Sequence, residues 1–237
     1  MRRGRRIGVL VTAALAAAGL IAVAARGGFD PRLAGYFAPA EESREGMVQC
    51  ANLIYGHDKT SVCFSDEFLA QLARDSTICT NRRFCPVKLV GQELFRYPFA
   101  VMTGEGSFRL TDVQRENLRS YVTRGGFLVA SAGCSSSAWD ASFRAEIRRI
   151  FPDRKLEKLP MSHPIFHTVY DISVLKTKKA NARLDAMEID GKIVLVYSSE
   201  GLNDTQNAGP GCCCCGGSEI RNAREVNANL LAYALTH

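Results

Sequence analysis

The stretch from Arg96 to Cys134 constrains the fold more than any other part of the sequence. An apolar run ends in a turn with two glycines, an amphipathic polar segment follows, and a glycine pair precedes a second, uncharged apolar run. Strands and helices alternate in this way in parallel α/β sheets, where right-handed crossovers join the strands. The stretch therefore predicts a strand–helix–strand unit, whose uncharged second strand lies near the centre of the sheet.

The same alternation continues on both sides of this unit. We expect strands within 47–55, 84–90, 94–102 and 127–132, and helices near 67–74, 111–124, 139–151 and 219–235. Asp190-Gly191 is typical of the turn of a hairpin and separates two further short strands. These elements predict a doubly wound, mostly parallel α/β fold in a single domain over residues 47–237.

The N-terminus has the composition of an export segment. Four arginines in the first six residues precede an uncharged run from Ile7 to Ala25, and this order is typical of a secretory signal. Its length also approaches the ~20 residues of a membrane span. Residues 1–25 are therefore predicted to be a signal peptide or membrane anchor, and residues 26–46, which mix Gly, Pro and charge, a linker. Either outcome predicts a domain in the periplasm or cell envelope.

The charge of the chain does not indicate nucleic-acid binding. The formal net charge is +6, but four of the positive charges belong to the N-terminal segment. No stripe of Lys and Arg interleaved with aromatic residues follows, and the lysines at 176–179 are typical of a solvated loop. We expect the membrane as a partner through residues 7–25, a possible envelope protein, and no nucleic acid.

Four motifs in the domain resemble the bacterial domain-of-unknown-function family 4159. They lie at 97–106, 118–128, 143–152 and 163–167. The resemblance implies a flavodoxin-like sheet similar to that of class I glutamine amidotransferases, in exported or membrane-anchored proteins, and it implies no settled activity. Many members carry acidic residues after the fourth strand, whereas this chain has Ser131-Ala-Gly-Cys134 there.

Candidate site residues follow the predicted strands, because open α/β sheets bind ligands at the carboxyl ends of their strands. A cysteine at a strand-to-helix turn can be activated as a nucleophile, and it can equally be a small residue in a tight turn. Histidines could supply a base or fix their own loops. The candidates are Cys134, His163, His167 and Glu105 for catalysis, and Gly104, Gly106 and His57 for ligand binding.

Four consecutive cysteines, Cys212, Cys213, Cys214 and Cys215, form the most unusual chemical feature of the sequence. Thiolates suit soft metals such as zinc or copper, although adjacent cysteines fit one tetrahedral ion poorly. Disulfides are the alternative in an oxidising compartment. Of the nine cysteines, Cys50, Cys63, Cys79 and Cys85 could pair with the four, which leaves Cys134 over.

The sequence leaves three functions open. The first is a domain that binds a ligand or soft metal through the Cys-rich segment 212–215 and a pocket at the strand ends. The second is a cysteine-dependent hydrolase or amidotransferase-like enzyme that uses Cys134. The third is an envelope interaction module without catalysis. Whether the chain is an enzyme is not decided by its residues.

Overall fold

The computed structural model describes residues 46–56, 63–178, 182–205 and 219–237. The predicted N-terminal segment 1–25, almost all of the linker, His57 and Cys212–Cys215 lie outside the described residues. Within those ranges, no helix is both long enough and apolar enough to cross a membrane.

Seven strands form one sheet with the order β2-β1-β3-β4-β7-β6-β5. Their bounds are β1 Cys50–Ile54, β2 Cys85–Lys88, β3 Phe99–Gly104, β4 Phe127–Ala132, β5 Glu157–Lys158, β6 Asp185–Ile189 and β7 Lys192–Ser198. β1 to β4 and β7 are parallel, whereas β6 runs antiparallel to β7 and β5 antiparallel to β6. The predicted doubly wound, mostly parallel fold is confirmed.

Among the described residues, four α-helices cover the two faces of the sheet. They are α1 Glu67–Asp75, α2 Asp112–Thr123, α3 Ser137–Ile150 and α4 Ala223–Thr236. α1 packs with α4, and α2 packs with α3. Thr111 and Gln114 form a capping box at the start of α2, where they satisfy backbone N–H groups that the helix itself cannot bond.

β4 lies at the centre of the sheet, and all of its residues are buried. Phe127 and Val129 face the core beneath α1 and α4. Leu128 and Ala130 face the core beneath α2 and α3. A strand buried on both faces has no polar face, which explains the uncharged run in the sequence.

Two elements differ from the sequence-based expectation. β5 lies at the edge of the sheet and consists of two residues, both of which are exposed. It therefore has no apolar pattern from which it could be predicted. α4 begins at Ala223 rather than at Glu219. The preceding residues are held outside the helix because the Ile220 backbone N–H bonds to Gly201 O, at 3.0 Å, and that of Arg221 to Lys176 O, at 2.6 Å.

Candidate functional site at the carboxyl edge

The parallel strands bring three segments together at their carboxyl ends. β3 ends at Gly104 and continues into Glu105, and β4 ends at Ala132 and continues into a 3₁₀ turn, Gly133–Ser135. β7, on the other side of β4, continues into Glu200 and Gly201. These segments and Glu219, which precedes α4, form what we call the carboxyl edge.

The turn at Cys134 has an unusual backbone. Cys134 and Ser135 both have φ of 54°, a left-handed conformation that costs free energy for residues other than glycine. Three contacts hold it. The Cys134 backbone N–H donates to Glu219 Oε1 at 3.1 Å, Ser135 Oγ donates to Glu200 O at 2.7 Å, and Ser136 Oγ donates to Glu105 O. The turn is thus fixed by all three neighbouring segments.

Gly201 makes room for the Glu219 side chain. Its φ is +105°, and a Cβ atom there would lie 2.8 Å from Ala132 O and 3.0 Å from Glu219 Cγ. A larger residue would therefore push Glu219 away from the Cys134 turn. Glu219 Oε2 also accepts a hydrogen bond from Thr205 Oγ1 at 2.8 Å, so both oxygens of the carboxylate are held.

Cys134 is half of a disulfide, and its Sγ lies 3.4 Å from Glu105 Oε1. A disulfide sulfur has no proton to donate, so this approach is a contact rather than a thiol hydrogen bond. The structure therefore brings together two predicted site residues, Cys134 and Glu105, with the sulfur in its oxidised form. A nucleophilic thiolate would exist here only after reduction.

The carboxyl edge is rich in acidic residues. Glu105 and Glu200 follow β3 and β7, the two parallel strands on either side of β4, and Asp204 and Glu219 belong to the same edge. Arg224 pairs with Asp204 at 3.0 Å. Burial raises the pKa of Glu219, hydrogen bonds from Thr205 and Cys134 lower it, and the charges of Glu105 and Asp204 raise it. The rise shows that removal from water outweighs the two bonds that favour the charged form.

A buried polar cluster lies beneath the turns. Asn203, which is fully buried, accepts at Oδ1 from Ser131 Oγ at 2.7 Å and from Thr103 Oγ1 at 3.3 Å. Its Nδ2 is buried without a hydrogen-bond partner among the described residues. A Cβ on Gly133 would lie 3.1 Å from this Nδ2 and 3.1 Å from Glu105 Cγ. The amide donor therefore faces the narrow space between the turns after β3 and β4.

The predicted glycines have different roles. Gly104 is required by packing, because a Cβ there would lie 2.5 Å from Tyr55 Oη and 2.7 Å from Trp139 Nε1. Tyr55 Oη accepts from Trp139 Nε1 at 2.6 Å and donates to Thr103 O at 2.8 Å. Gly106 is exposed in the turn after β3. Gly104 thus fixes where β3 ends, which sets the position of Glu105.

His163 lies at the opposite edge of the sheet from Cys134. Its ring packs against Tyr233, with centroids 5.6 Å apart, and Tyr233 contacts Phe127, the first residue of β4. Its Nδ1 accepts from the Ile165 backbone N–H at 3.2 Å. Burial lowers the His163 pKa, because a half-buried imidazole disfavours the charged form. His163 thus caps the 3₁₀ turn Pro164–Phe166.

His167 is held within its own loop. Nε2 lies 2.9 Å from Met161 O, and Nδ1 lies 2.5 Å from Asp171 Oδ1. The bond to Met161 O and the neighbouring Asp171 carboxylate raise its pKa. Both rings thus have local partners, and the structure does not bring them to Cys134.

The cysteine pairing differs from the count made on the sequence. Cys134, which the count left over, is bonded, whereas Cys50, Cys79 and Cys85 are free. Cys50 and Cys85 are buried within β1 and β2. Among the described residues, no group of three or more His, Cys, Asp or Glu side chains is arranged to hold a metal ion.

Three residues of this edge have no clear signal in the sequence. Asn203 and Glu219 lie in or beside a segment without a period, and Ser131 interrupts an otherwise apolar run. A serine near the end of a buried strand, Ser131, is the one feature that could have indicated the buried polar cluster beneath the turns.

The fold and this edge define a flavodoxin-like α/β domain with a polar, acidic surface at the carboxyl ends of its parallel strands. The family profile "Domain of unknown function (DUF4159)" matches residues 49–235. The chain therefore belongs to this family. No curated protein matches the sequence.

Proposed function

We propose that this chain is an exported domain that binds a small cationic ligand at the carboxyl edge. The observation that carries the proposal is the convergence of Glu105 and Glu219, 114 residues apart in the sequence, on the turn at Cys134. The backbone of this turn is strained at two residues. Such strain is commonly retained where a fixed geometry serves binding or catalysis.

Charge favours a cation. The carboxylates of Glu105, Glu200, Asp204 and Glu219 belong to the edge, and Arg224 is the counter-ion of Asp204. Carboxylates gathered on one surface concentrate ligands of the opposite charge. Glu105 is the exposed member, so we assign it the direct contact with an ammonium group, whereas Glu219 positions the turn.

Asn203 suggests the second feature of the ligand. Its buried Nδ2 faces the space beside Gly133 and lacks an acceptor among the described residues. Buried donors in folded proteins are nearly always paired. An ordered water, or a ligand oxygen admitted by a small shift of the turn, would satisfy it. An ammonium group with a neighbouring oxygen, as in an amino alcohol, fits both groups.

Ethanolamine and 1,2-ethanediol test this proposal, because they are similar in size and differ in charge. We expect ethanolamine to shift the backbone amide NMR signals of 104–106, 134–135 and 219 in a saturable way, and ethanediol to have little effect. Glu105→Gln should weaken ethanolamine binding at least fivefold, or about 1 kcal/mol. Glu116→Gln, an exposed carboxylate on α2, is the control. Equal responses to the two compounds, or unchanged binding by Glu105→Gln, would contradict the proposal.

The Cys-rich segment 212–215 is the second part of the proposal. It lies outside the described residues, but Thr205 and Glu219, on either side of residues 206–218, bond to each other and Glu219 bonds to Cys134. We propose that one of the four cysteines is the disulfide partner of Cys134. Digestion without reduction, followed by mass spectrometry, should recover a linked peptide. A linked peptide that joins Cys134 to another part of the chain would contradict this pairing.

Soft-metal binding by the remaining thiols of this segment is the alternative use. Thiolates bind Zn²⁺ or Cu⁺, and a metal site there would need the protein to be reduced. Protein purified under reducing conditions should then retain metal, and the variant with Cys212–Cys215 changed to serine should not. Equal metal content in the two proteins would exclude this use.

An enzyme that uses Cys134 is a second candidate function. The contact between Glu105 and Cys134 Sγ favours it, because a carboxylate could accept a proton from a reduced thiol. A dithiol reductant would first have to break the disulfide and give two thiols while becoming a disulfide itself. Reduced protein should then react with iodoacetamide at Cys134 faster than an unfolded peptide does. A rate equal to that of the peptide would exclude an activated nucleophile.

Export is supported by the composition of residues 1–25 and by the Cys134 disulfide, since disulfides persist mainly in oxidising compartments. Residues 1–46 fused to a periplasm-dependent alkaline phosphatase should give an active reporter. Replacement of Arg2, Arg3, Arg5 and Arg6 should lower that activity. An inactive reporter with the intact segment would contradict export.

A further inference from the structure

A cavity lies at the opposite edge of the sheet, where β3 and β4 begin. Its volume is about 450 Å³, and the residues lining it include Phe95, Arg96, Tyr97, Tyr121, Arg124 and Gly126. This volume is within the range of about 300–1,000 Å³ that small-molecule sites occupy. The cavity is separate from the carboxyl edge, and the proposal above does not use it.

The walls of the cavity are tied together. Tyr121 Oη, on α2, donates to Tyr97 O at 2.9 Å, and the Phe127 backbone N–H donates to Pro98 O at 3.0 Å. Gly126 lies against the Tyr121 ring so closely that a Cβ there would be 2.3 Å from Cε2. These contacts fix the end of α2 against the start of β3, so the cavity exists before any ligand binds.

The chemistry of the lining is cationic and aromatic. Arg96 and Arg124 both line the cavity, and the Arg124 guanidinium lies 5.7 Å from the centroid of the Phe95 ring. A guanidinium held over a ring keeps its N–H donors available at its edge for carboxylate or phosphate. Among the lining residues, the two arginines are the charged ones. The nearby Glu93 carboxylate is not part of the lining and accepts a hydrogen bond from the Tyr97 hydroxyl at 3.2 Å.

We propose that this cavity binds a small oxyanion, a carboxylate or phosphate monoester, that carries a flat ring or similar body. The two arginines bind the oxyanion, and the body lies against the partly exposed ring of Phe95, beside the buried rings of Tyr97 and Tyr121. The backbone turn at Gly125 borders the same space. Gly125 has φ of +95°, and a Cβ there would meet no atom within 4 Å, so the turn leaves the approach open.

Phenyl phosphate and benzyl alcohol are the probes, because each has the ring and only the first has the anion. In NMR titrations of the full exported domain, phenyl phosphate should shift the amides of 95–97 and 124–126 in a saturable way. Arg96→Gln and Arg124→Gln should each weaken it about tenfold. Arg109→Gln, an exposed arginine on the loop after β3, should leave binding unchanged.

Salt gives a readout that does not depend on any variant. Binding of phenyl phosphate to the wild-type domain should weaken severalfold as ionic strength rises from about 0.02 to about 0.5 M, since ions screen charge contacts. Three results would overturn the proposal: no saturation up to about 10 mM, equal binding of benzyl alcohol, or an Arg109→Gln effect as large as that of Arg124→Gln. An affinity for phenyl phosphate that does not change with ionic strength would also overturn it.

Discussion

Individual residues decide the geometry of the carboxyl edge. Gly201 permits the approach of Glu219, and Glu219 holds the N–H of a strained Cys134. Each of these residues is ordinary by itself. Their joint effect is a turn that is fixed by contacts from distant parts of the chain, so single substitutions there should have measurable consequences.

Gly201→Ala should lower the free energy of unfolding by about 2–4 kcal/mol, because it combines a positive φ with close approaches to Ala132 O and Glu219 Cγ. Gly191→Ala is the matched control. Gly191 has φ of +79° but open space around the added Cβ, so its cost should be about 1 kcal/mol. Chemical denaturation measures both, and equal losses would show that the approach of Glu219 is not the cause.

Glu219 also predicts a pH dependence. Its pKa is raised in the folded protein above the ordinary value of 4.5, so the folded state binds the proton more tightly than the unfolded state. Stability must therefore fall as pH rises from about 4.5 through the raised pKa. The difference in unfolding free energy between wild type and Glu219→Gln should decrease over this range and then level off. A difference that is constant with pH would contradict the assignment.

At the scale of elements, a buried ion cluster joins the two helices on one face of the sheet. Glu146 on α3 is 1% exposed. It bonds to Arg115 on α2 at 3.0 Å and to Arg149 at 2.5 Å. Two cations offset the cost of burying one carboxylate, so the cluster fixes α2 relative to α3, and α3 starts at the Cys134 turn.

Glu146→Ala should destabilise the domain by about 2–4 kcal/mol, because Arg115 loses its buried partner while it keeps Asp112. Arg149→Ala should cost about 1 kcal/mol or less, since this arginine is half exposed. Thermal or chemical denaturation measures the two variants. An Arg149→Ala loss as large as that of Glu146→Ala would show that burial of the pair is not what matters.

At the scale of the whole molecule, the Cys134 disulfide is a covalent constraint on the carboxyl edge. A disulfide stabilises a fold chiefly by restricting the unfolded chain, in the usual entropic account. The buried free thiol of Cys50 is different, since desolvation raises its pKa and keeps it protonated. A reductant should therefore act at the carboxyl edge first, and an alkylating agent should modify Cys134 only after reduction, well before it modifies Cys50.

Reduction by a dithiol should lower the free energy of unfolding of the wild-type domain by about 2–4 kcal/mol. Cys134→Ser should resemble the reduced protein and respond little to the reductant. Cys79→Ser, which removes an exposed free thiol, should behave like wild type in both conditions. An equal response to reductant in Cys134→Ser and wild type would mean that another bond carries the effect.

Much of the fold could be predicted because its signals are local. β4 was predicted with its observed bounds, since a strand buried on both faces must be uncharged over its whole length. The start of α2 was predicted at Thr111, where the cap is a property of neighbouring residues. The exposed two-residue strand β5 could not be predicted, because the two residues that pair with β6 are charged and show no strand pattern.

The sequence by itself determined the alternation of strands and helices, the family, and the meeting of Glu105 and Cys134 at one edge. This follows because parallel strands present all of their carboxyl ends together. Only the tertiary structure decided that His163 lies at the other edge, that Cys134 is oxidised, and that Glu219 and Asn203 lie at the carboxyl edge. These facts depend on contacts between residues far apart in the chain, which no local pattern encodes.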